Sequence, residues 1–291
     1  MAGGYVEPRH PPLLRSLTGA PPDNSRFYGE QAARWYDVEY APKDEDIPFY
    51  IEEAGRWAGE GGSVLELAAG GGRVALPMAR AGFRVTALDV ATPMLDRLRR
   101  RLATEPPLVR GRVEIVEQDM RRFALDRLFR FIYLPFNTLL VLAEPEERQA
   151  MLNAVRAHLA PSGAFAFDIF TPDPEILALD RTQWRVEFEH DAVDAEVGEQ
   201  VHVVREMRMR PDYGRQLNRV EFRHTITRGG EPLAGWEDEL LLAYIFPREL
   251  ELILEREGFR VEARYGGPDR RPYNPGPGNI QQAYVVARPA P

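Results

Sequence analysis

The sequence predicts an α/β fold: a doubly wound sheet of seven strands flanked by helices, with an antiparallel β-sheet inserted late in the chain. Three observations carry this reading. Short apolar runs alternate with helical patterns from Ser63 to Phe170, the order that builds βαβ units and a parallel sheet. A run of three glycines, Gly70-Gly71-Gly72, separates the first apolar run from the helical pattern that follows it. From about Pro172 to Phe246 the period changes to two, with turn signals at Asp212-Tyr213-Gly214 and Arg228-Gly229-Gly230.

In order, residues 1–25 are Pro- and Gly-rich and read as a tail. Arg26 to Tyr40 reads as a helix with Phe27, Tyr28, Trp35, Tyr36 and Tyr40 clustered on it. Asp44-Glu45-Asp46 supplies acids where a second helix, Ile47 to about Ala58, begins. Ser63 to Leu67 is the first strand, and a helix runs from Val74 to Ala81 with Gly82 as its stop. Phe83 to Leu88 is the second strand, ended by Asp89. A helix starts near Thr92, and its basic run Arg97, Arg99, Arg100 and Arg101 reads as a solvated face. Arg112 to Glu117 and Phe129 to Leu134 are strands three and four, followed by Asp119-Met120 and Pro135-Phe136-Asn137. A helix from Pro145 to Leu159 precedes strand five, Gly163 to Phe170, in which Asp168 points to the same strand-end face. The inserted runs are 184–188, 201–209, 220–226 and 240–245. Trp184, Val186, Phe188 and His190 share one face, as do Val220, Phe222, His224 and Ile226. Pro247 opens the last helix, Gly258 stops it, and 259–265 and 280–287 are strands six and seven. The expected organisation is a tail (1–25), a core with N-terminal helices (26–173), an inserted sheet serving as lid or dimer surface (174–246), and the end of the core (247–291).

Composition narrows the function. The 291 residues are 44% hydrophobic and 28% charged, ordinary for a globular protein with a substantial core. Lys+Arg 37 against Asp+Glu 45 gives a net charge of −8, which argues against a nucleic-acid partner. The absence of Cys removes disulfides, thiolate metal sites and a cysteine nucleophile together, and no metal site is expected. No apolar run has the length of a membrane span and no signal-peptide core is visible, so a cytoplasmic protein is the simplest expectation.

Three glycines are conformationally costly for an ordinary βα turn. They let a ligand approach the backbone, and the N–H groups at a helix start favour an anionic or electron-rich group, so a nucleotide-type ligand is expected there. Gly70 to Ala75 fits the weak dinucleotide fingerprint G-x-G-x-x-A, with Asp89 near the expected distance. A carboxylate at Asp89 can accept from two vicinal ribose hydroxyls, or cap the helix behind it. The discriminating features are an acid inside the first strand, Glu66, and another after the third, Asp119. With these in place the chain resembles the class I S-adenosylmethionine (SAM) dependent methyltransferases. Their first motif, acid-x-Gly-x-Gly-x-Gly, maps onto Glu66 to Gly72, with Ala68 in place of the first glycine; alanine is tolerated there if its φ stays negative. Ala33 to Asp37 matches the family's "YD" signal on a helix that closes over the site, and Pro135 to Leu142 resembles the "PFNSLLHL" segment of small-molecule N-methyltransferases of the glycine/sarcosine and amino-sugar type. Val141 stands where those relatives often carry a His.

The resemblance implies a Rossmann-like sheet with its last strand antiparallel, and SAM held by Glu66, Ala68, Gly70, Gly72, Arg73, Asp89, Val90, Asp119, Met120, Leu134 and Asn137. Within that set it puts Asp119 against the adenine amino group and the Met120 N–H against a ring nitrogen. Tyr36, Asp168, His190 and His224 are the candidates on the acceptor side. The expected reaction is methyl transfer to a small-molecule nucleophile, and the missing helix His leans towards an amine. Three alternatives stay open: O-methylation of a phenol or carboxylate, a nicotinamide oxidoreductase using the same turn, and a non-catalytic SAM-binding scaffold.

Overall fold

Strands that read as continuous apolar runs are buried on both faces, as parallel sheets require. The computed structural model describes residues 24, 27–40, 43–179, 181–194, 196–274 and 282–289. The expected tail lies outside them apart from Asn24. β1 (Ser63–Leu67), β2 (Arg84–Asp89), β3 (Val113–Glu117), β4 (Phe129–Leu134), β5 (Leu159–Phe170), β10 (Phe259–Tyr265) and β11 (Gln282–Pro289) form one sheet in the order β10-β11-β5-β4-β1-β2-β3. All pairings are parallel except those of β11, which is antiparallel to both β5 and β10. The strand order reverses between β1 and β4, and ligands of open α/β sheets bind outside the carboxyl ends of the strands at such a point.

Helices cover both faces. α2 (Ile47–Ala58), α3 (Ala75–Arg80), α4 (Thr92–Thr104) and the short α5 (Pro107–Arg110) pack on one side, over a core that includes Phe49, Tyr50, Leu76, Met78 and Leu98. α6 (Pro145–His158) and α8 (Pro247–Arg256) pack on the other, over Leu65, Leu67, Phe165, Phe167 and Phe259. A short α7 (Pro174–Leu177) leads into the insertion.

The insertion is a separate four-stranded antiparallel sheet of β6 (Arg185–Asp194), β7 (Glu199–Asp212), β8 (Leu217–Arg228) and β9 (Glu231–Ala243). The strands are longer than the sequence runs because turns, not hydrophobic content, end them. The expected common face on the first run breaks at Glu187, where the β6–β7 register shifts between Val186 and Phe188. Val186 is consequently 56% exposed, while Phe188 turns inward. On β8 the expectation holds, with Val220, Phe222, His224 and Ile226 all buried. The opposite face is charge-paired: Arg223 meets Glu237 at 3.0 Å, Arg219 meets Glu239 at 2.9 Å, and Arg208 meets Glu221.

α1 (Glu30–Glu39) lies between the two sheets and starts later than the sequence pattern, leaving Phe27 and Tyr28 ahead of it. Trp35 packs on Val201, Val203 and Ile226 of the inserted sheet, while Tyr36 packs on Ala91 and Met94 of the core. The basic run on α4 is a correction to the sequence reading. Arg97 is 5% exposed and donates to the Asp37 carboxylate at 2.7 Å and the Arg34 carbonyl at 3.2 Å; Arg101 reaches Asp37 and the Gly71 carbonyl. Only Arg99 and Arg100 of that run face solvent, because α1 covers the rest.

Candidate active site

Parallel strands end on one edge, so the loops after β1, β2, β3 and β4 converge there. The turn after β1 is tight. Gly70 and Gly72 have φ of +52° and +81°, and a Cβ on Gly72 would lie 2.4 Å from a Leu98 methyl, so a side chain there would be strained and would displace Leu98. Ala68 overturns the expectation of a negative φ: it sits at +52°, in the left-handed region where an L side chain costs about 1–2 kcal/mol. The chain must leave β1 sharply there, and the next amide, Ala69 N, is held by the Leu88 carbonyl at 2.9 Å.

Asp89, at the end of β2, is tied to that turn. Its Oδ2 accepts from the Gly70 N–H at 2.7 Å and its Oδ1 from the Ala91 N–H at 2.8 Å. Burial pushes its carboxyl up, and the amides of Ala91, Gly70 and Val90 hold it down in part. Val90 beside it is 47% exposed. Asp119, after β3, accepts from Arg121 through its amide at 2.9 Å and its guanidinium at 2.7 Å; burial raises its carboxyl, and Arg121 more than offsets this, leaving it below the ordinary range. Met120 packs against the core under β4, whose last residue, Leu134, is fully buried.

Glu66 is 1% exposed and accepts from the Tyr133 hydroxyl, its register partner on β4, at 2.9 Å. Burial pushes its carboxyl up to about 8, against the opposing pull of Tyr133 and of Arg73. Arg73 in turn forms a two-pronged pair with Asp46 at the start of α2, at 2.5 and 2.7 Å, donates to the Lys43 carbonyl at 2.9 Å, and stacks over Phe136 at 4.6 Å. Asp46, Tyr133 and Phe136 are not among the site residues expected from the sequence. Glu66 and Tyr133 face the same way across the sheet, but only their pairing in space makes Tyr133 relevant.

The acceptor-side candidates are distributed differently from the expectation. Tyr36 is buried against the site, in contact with the rings of Tyr28 and Tyr40, and Tyr40 meets Phe136 at 5.1 Å. Asp168 is fully buried on β5. Its oxygens accept from the Tyr50 hydroxyl, the Phe136 N–H at 2.8 Å and the Asn137 N–H at 2.9 Å, so the carboxylate faces a backbone loop and not an open pocket. His190 contacts the Val38 carbonyl through Nε2 at 2.9 Å. His224 is 2% exposed, pairs through Nδ1 with Glu39, and stacks flat on Trp236 at 4.3 Å. Both histidines therefore fasten α1 to the inserted sheet. Arg205 on β7 is also inside: it reaches Glu187 at 2.8 Å and the Tyr40 hydroxyl, and it lies over the rings of Tyr40, Phe188 and Phe222 at 4.4–5.1 Å. Period two was the available signal: Arg205 falls with Val201, Val203, Met207 and Met209 on the apolar face of β7, whereas Arg208 and Arg210 fall on the other. Among the described residues there is no cluster of metal-ligating side chains, and no helix is long and apolar enough to cross a membrane.

Residues 64–163 match the family described as "Methyltransferase domain". The chain is 34% identical over 113 residues to the cypemycin N-terminal methyltransferase of a Streptomyces species; the match spans 39% of this chain and 44% of that protein. Its fold is similar to that of the CcbJ methyltransferase from Streptomyces caelestis, with a TM-score of 0.74 at 24% identity, over 92% of this chain and 99% of that one. It is also similar to the glycopeptide N-methyltransferase MtfA, solved in complex with SAM, with a TM-score of 0.54 at 26% identity, over 86% and 96%. One feature of the site itself fits SAM: Asn137, in the loop after β4, presents a buried Oδ1 with no partner, an acceptor for an ammonium or amide donor. The Cβ positions of Gly70 and Gly72 are taken up by Met94 and Leu98 of α4, so these two glycines let the turn pack closely on that helix. Residues 64–163 match a methyltransferase domain, set in a fold similar to that of known methyltransferases.

Proposed function

We propose that the chain transfers a methyl group from SAM to a small-molecule amine. SAM supplies an electrophilic methyl group on a sulfonium; the residues proposed to hold it are Asp89 at the ribose, Asp119 and Met120 at the adenine, and Glu66, Arg73 and Asn137 at the amino-acid end. Gly70 and Gly72 allow the close backbone approach, with Ala68, Val90 and Leu134 lining the same edge. The protein's part is to orient the nucleophile and exclude water, and well-oriented reactants alone lower a barrier by ~7–11 kcal/mol. The inserted sheet is proposed as a lid: its buried face carries Arg205 and Phe222 towards α1, whereas its other face is a field of ion pairs that a dimer would have to desolvate.

The observation that carries the amine is the commitment of the histidines. His190 and His224 are both bonded to α1, and Val141 stands where relatives often carry a His. A neutral amine attacks without a strong base, since its proton leaves after methylation; a phenol or alcohol needs one sooner. Two similar proteins, an N-terminal methyltransferase and a glycopeptide N-methyltransferase, point the same way. Asp168, buried against backbone amides, takes no part in drawing in an ammonium form. A screen of amine, phenol and carboxylate acceptors, read by S-adenosylhomocysteine release, tests the reading. Release with amines is expected; release confined to phenols or carboxylates overturns it.

A further inference from the structure

The segment after β4 adopts a conformation that its residues resist. Phe136 and Asn137 are consecutive, neither is glycine, and their φ values are +67° and +57°. Two left-handed L-residues in a row persist only where the surroundings over-determine them. The surroundings here are one carboxylate. The Asp168 oxygens take the Phe136 and Asn137 amides separately, Oδ1 from the first at 2.8 Å and Oδ2 from the second at 2.9 Å. Oδ1 also accepts from the Tyr50 hydroxyl of α2, and both side chains are fully buried.

We infer that Tyr50 and Asp168 are a positioning pair, which forces the segment 135–137 into the shape that the cofactor site needs. The consequences of that shape are local. Phe136 is delivered over the Arg73 guanidinium and against the edge of Tyr40, joining the glycine turn to α1. Asn137 is delivered with its Oδ1 buried and unpartnered, and its carbonyl starts the 3₁₀ turn Thr138–Val141 by accepting from Leu140 N at 2.9 Å. A carboxylate is required because it presents two acceptor oxygens in a fork. An amide presents one oxygen and one NH₂, so either Phe136 N–H or Asn137 N–H would face a donor. Tyr50 fixes the plane of that fork from α2, the same helix whose first turn abuts Asp46, the partner of Arg73. The loop, the glycine turn and α2 are thereby set together. The pair's role in binding SAM rests on the function proposed above; its hold on the loop does not.

The test uses the whole chain and two readouts: amide exchange over residues 134–140 without ligand, and calorimetric binding of SAM. Asp168→Asn should speed exchange at 136 and 137 by about ten- to a hundredfold and weaken SAM by a similar factor. Asn137→Gly, which accepts a positive φ at no steric cost, should shrink both effects of Asp168→Asn when the two are combined. A merely structural loss of packing would add to Asn137→Gly instead. Tyr50→Phe, which keeps the carboxylate, should raise exchange at the same two amides to a smaller extent, and it serves if Asp168→Asn does not fold. Unchanged exchange at 136 and 137 in both variants, or strict additivity with Asn137→Gly, overturns the inference. Failure of the wild-type chain to bind SAM would instead refute the function proposed above, and exchange would still decide the pair.

Discussion

The Asp89 carboxylate accepts from Gly70 N on one side and Ala91 N on the other, so it shapes the glycine turn, and it is the residue proposed at the ribose. Asp89→Ala should weaken SAM by ~1.5–3 kcal/mol, the range for a lost charged hydrogen bond, in calorimetry; an unchanged affinity would remove Asp89 from the site. Glu66 makes a prediction about pH. An isolated glutamate titrates near 4.5, and burial beside Tyr133 pushes Glu66 up to about 8. Between those values the folded chain holds a proton that the unfolded chain has released, so stability falls as pH rises through this window, by up to about 1.4 kcal/mol per unit. Glu66→Gln, neutral throughout, should flatten the urea-unfolding profile between pH 5 and pH 8; an equal slope in both proteins would mean that Glu66 is ionised in the fold.

At the scale of elements, α1 is the joint between the two sheets. Arg34 meets Asp194 at 2.7 Å, His190 meets the Val38 carbonyl, His224 meets Glu39, and Arg205 meets Tyr40, all linking α1 to the insertion. Asp37 and Tyr36 link it to the core, through Arg97 and Met94. Trp35 supplies the apolar part of this joint and is 6% exposed. Truncating a buried aromatic costs ~3–5 kcal/mol, so Trp35→Ala should lower stability by that order in chemical denaturation. A cost under ~1 kcal/mol, typical of surface positions, would show that α1 is not packed on the inserted sheet in solution. The periodicity of residues 26–40 announced a helix with an aromatic stripe. Which face would meet which sheet was not legible, because both faces carry aromatics and both have partners.

For the whole molecule, a ligand that binds only the folded chain raises its stability by about 2.7 kcal/mol at a hundredfold excess over Kd. SAM at that excess should raise the melting temperature, while NAD at the same concentration should leave it unchanged; the reverse result would restore the oxidoreductase alternative. That distinction was already visible in the sequence, since strand-end residues are local. A parallel strand buried on both faces reads as an apolar run, residues at or just past its carboxyl end fall near the binding edge, and so Glu66, Asp89 and Asp119 could be placed in order without coordinates. The seven strands and the change to a period of two near Pro172 followed from the same local rules, while the antiparallel final strand came from the family resemblance alone. Everything that depends on what lies across the sheet was decided only by tertiary structure. Asp168 ends its strand as the other acids do, yet α2 buries it and the loop after β4 claims both its oxygens. His224 shares an apolar face as the pattern said, but Glu39, 185 residues away in sequence, makes it a fastener. Ala68 looked able to keep a negative φ, and the path of the chain from β1 into the turn denied it. Sequence spacing determines which edge or face a residue occupies; whether that place is open, and who its partner is, depends on segments that meet only when the chain is folded.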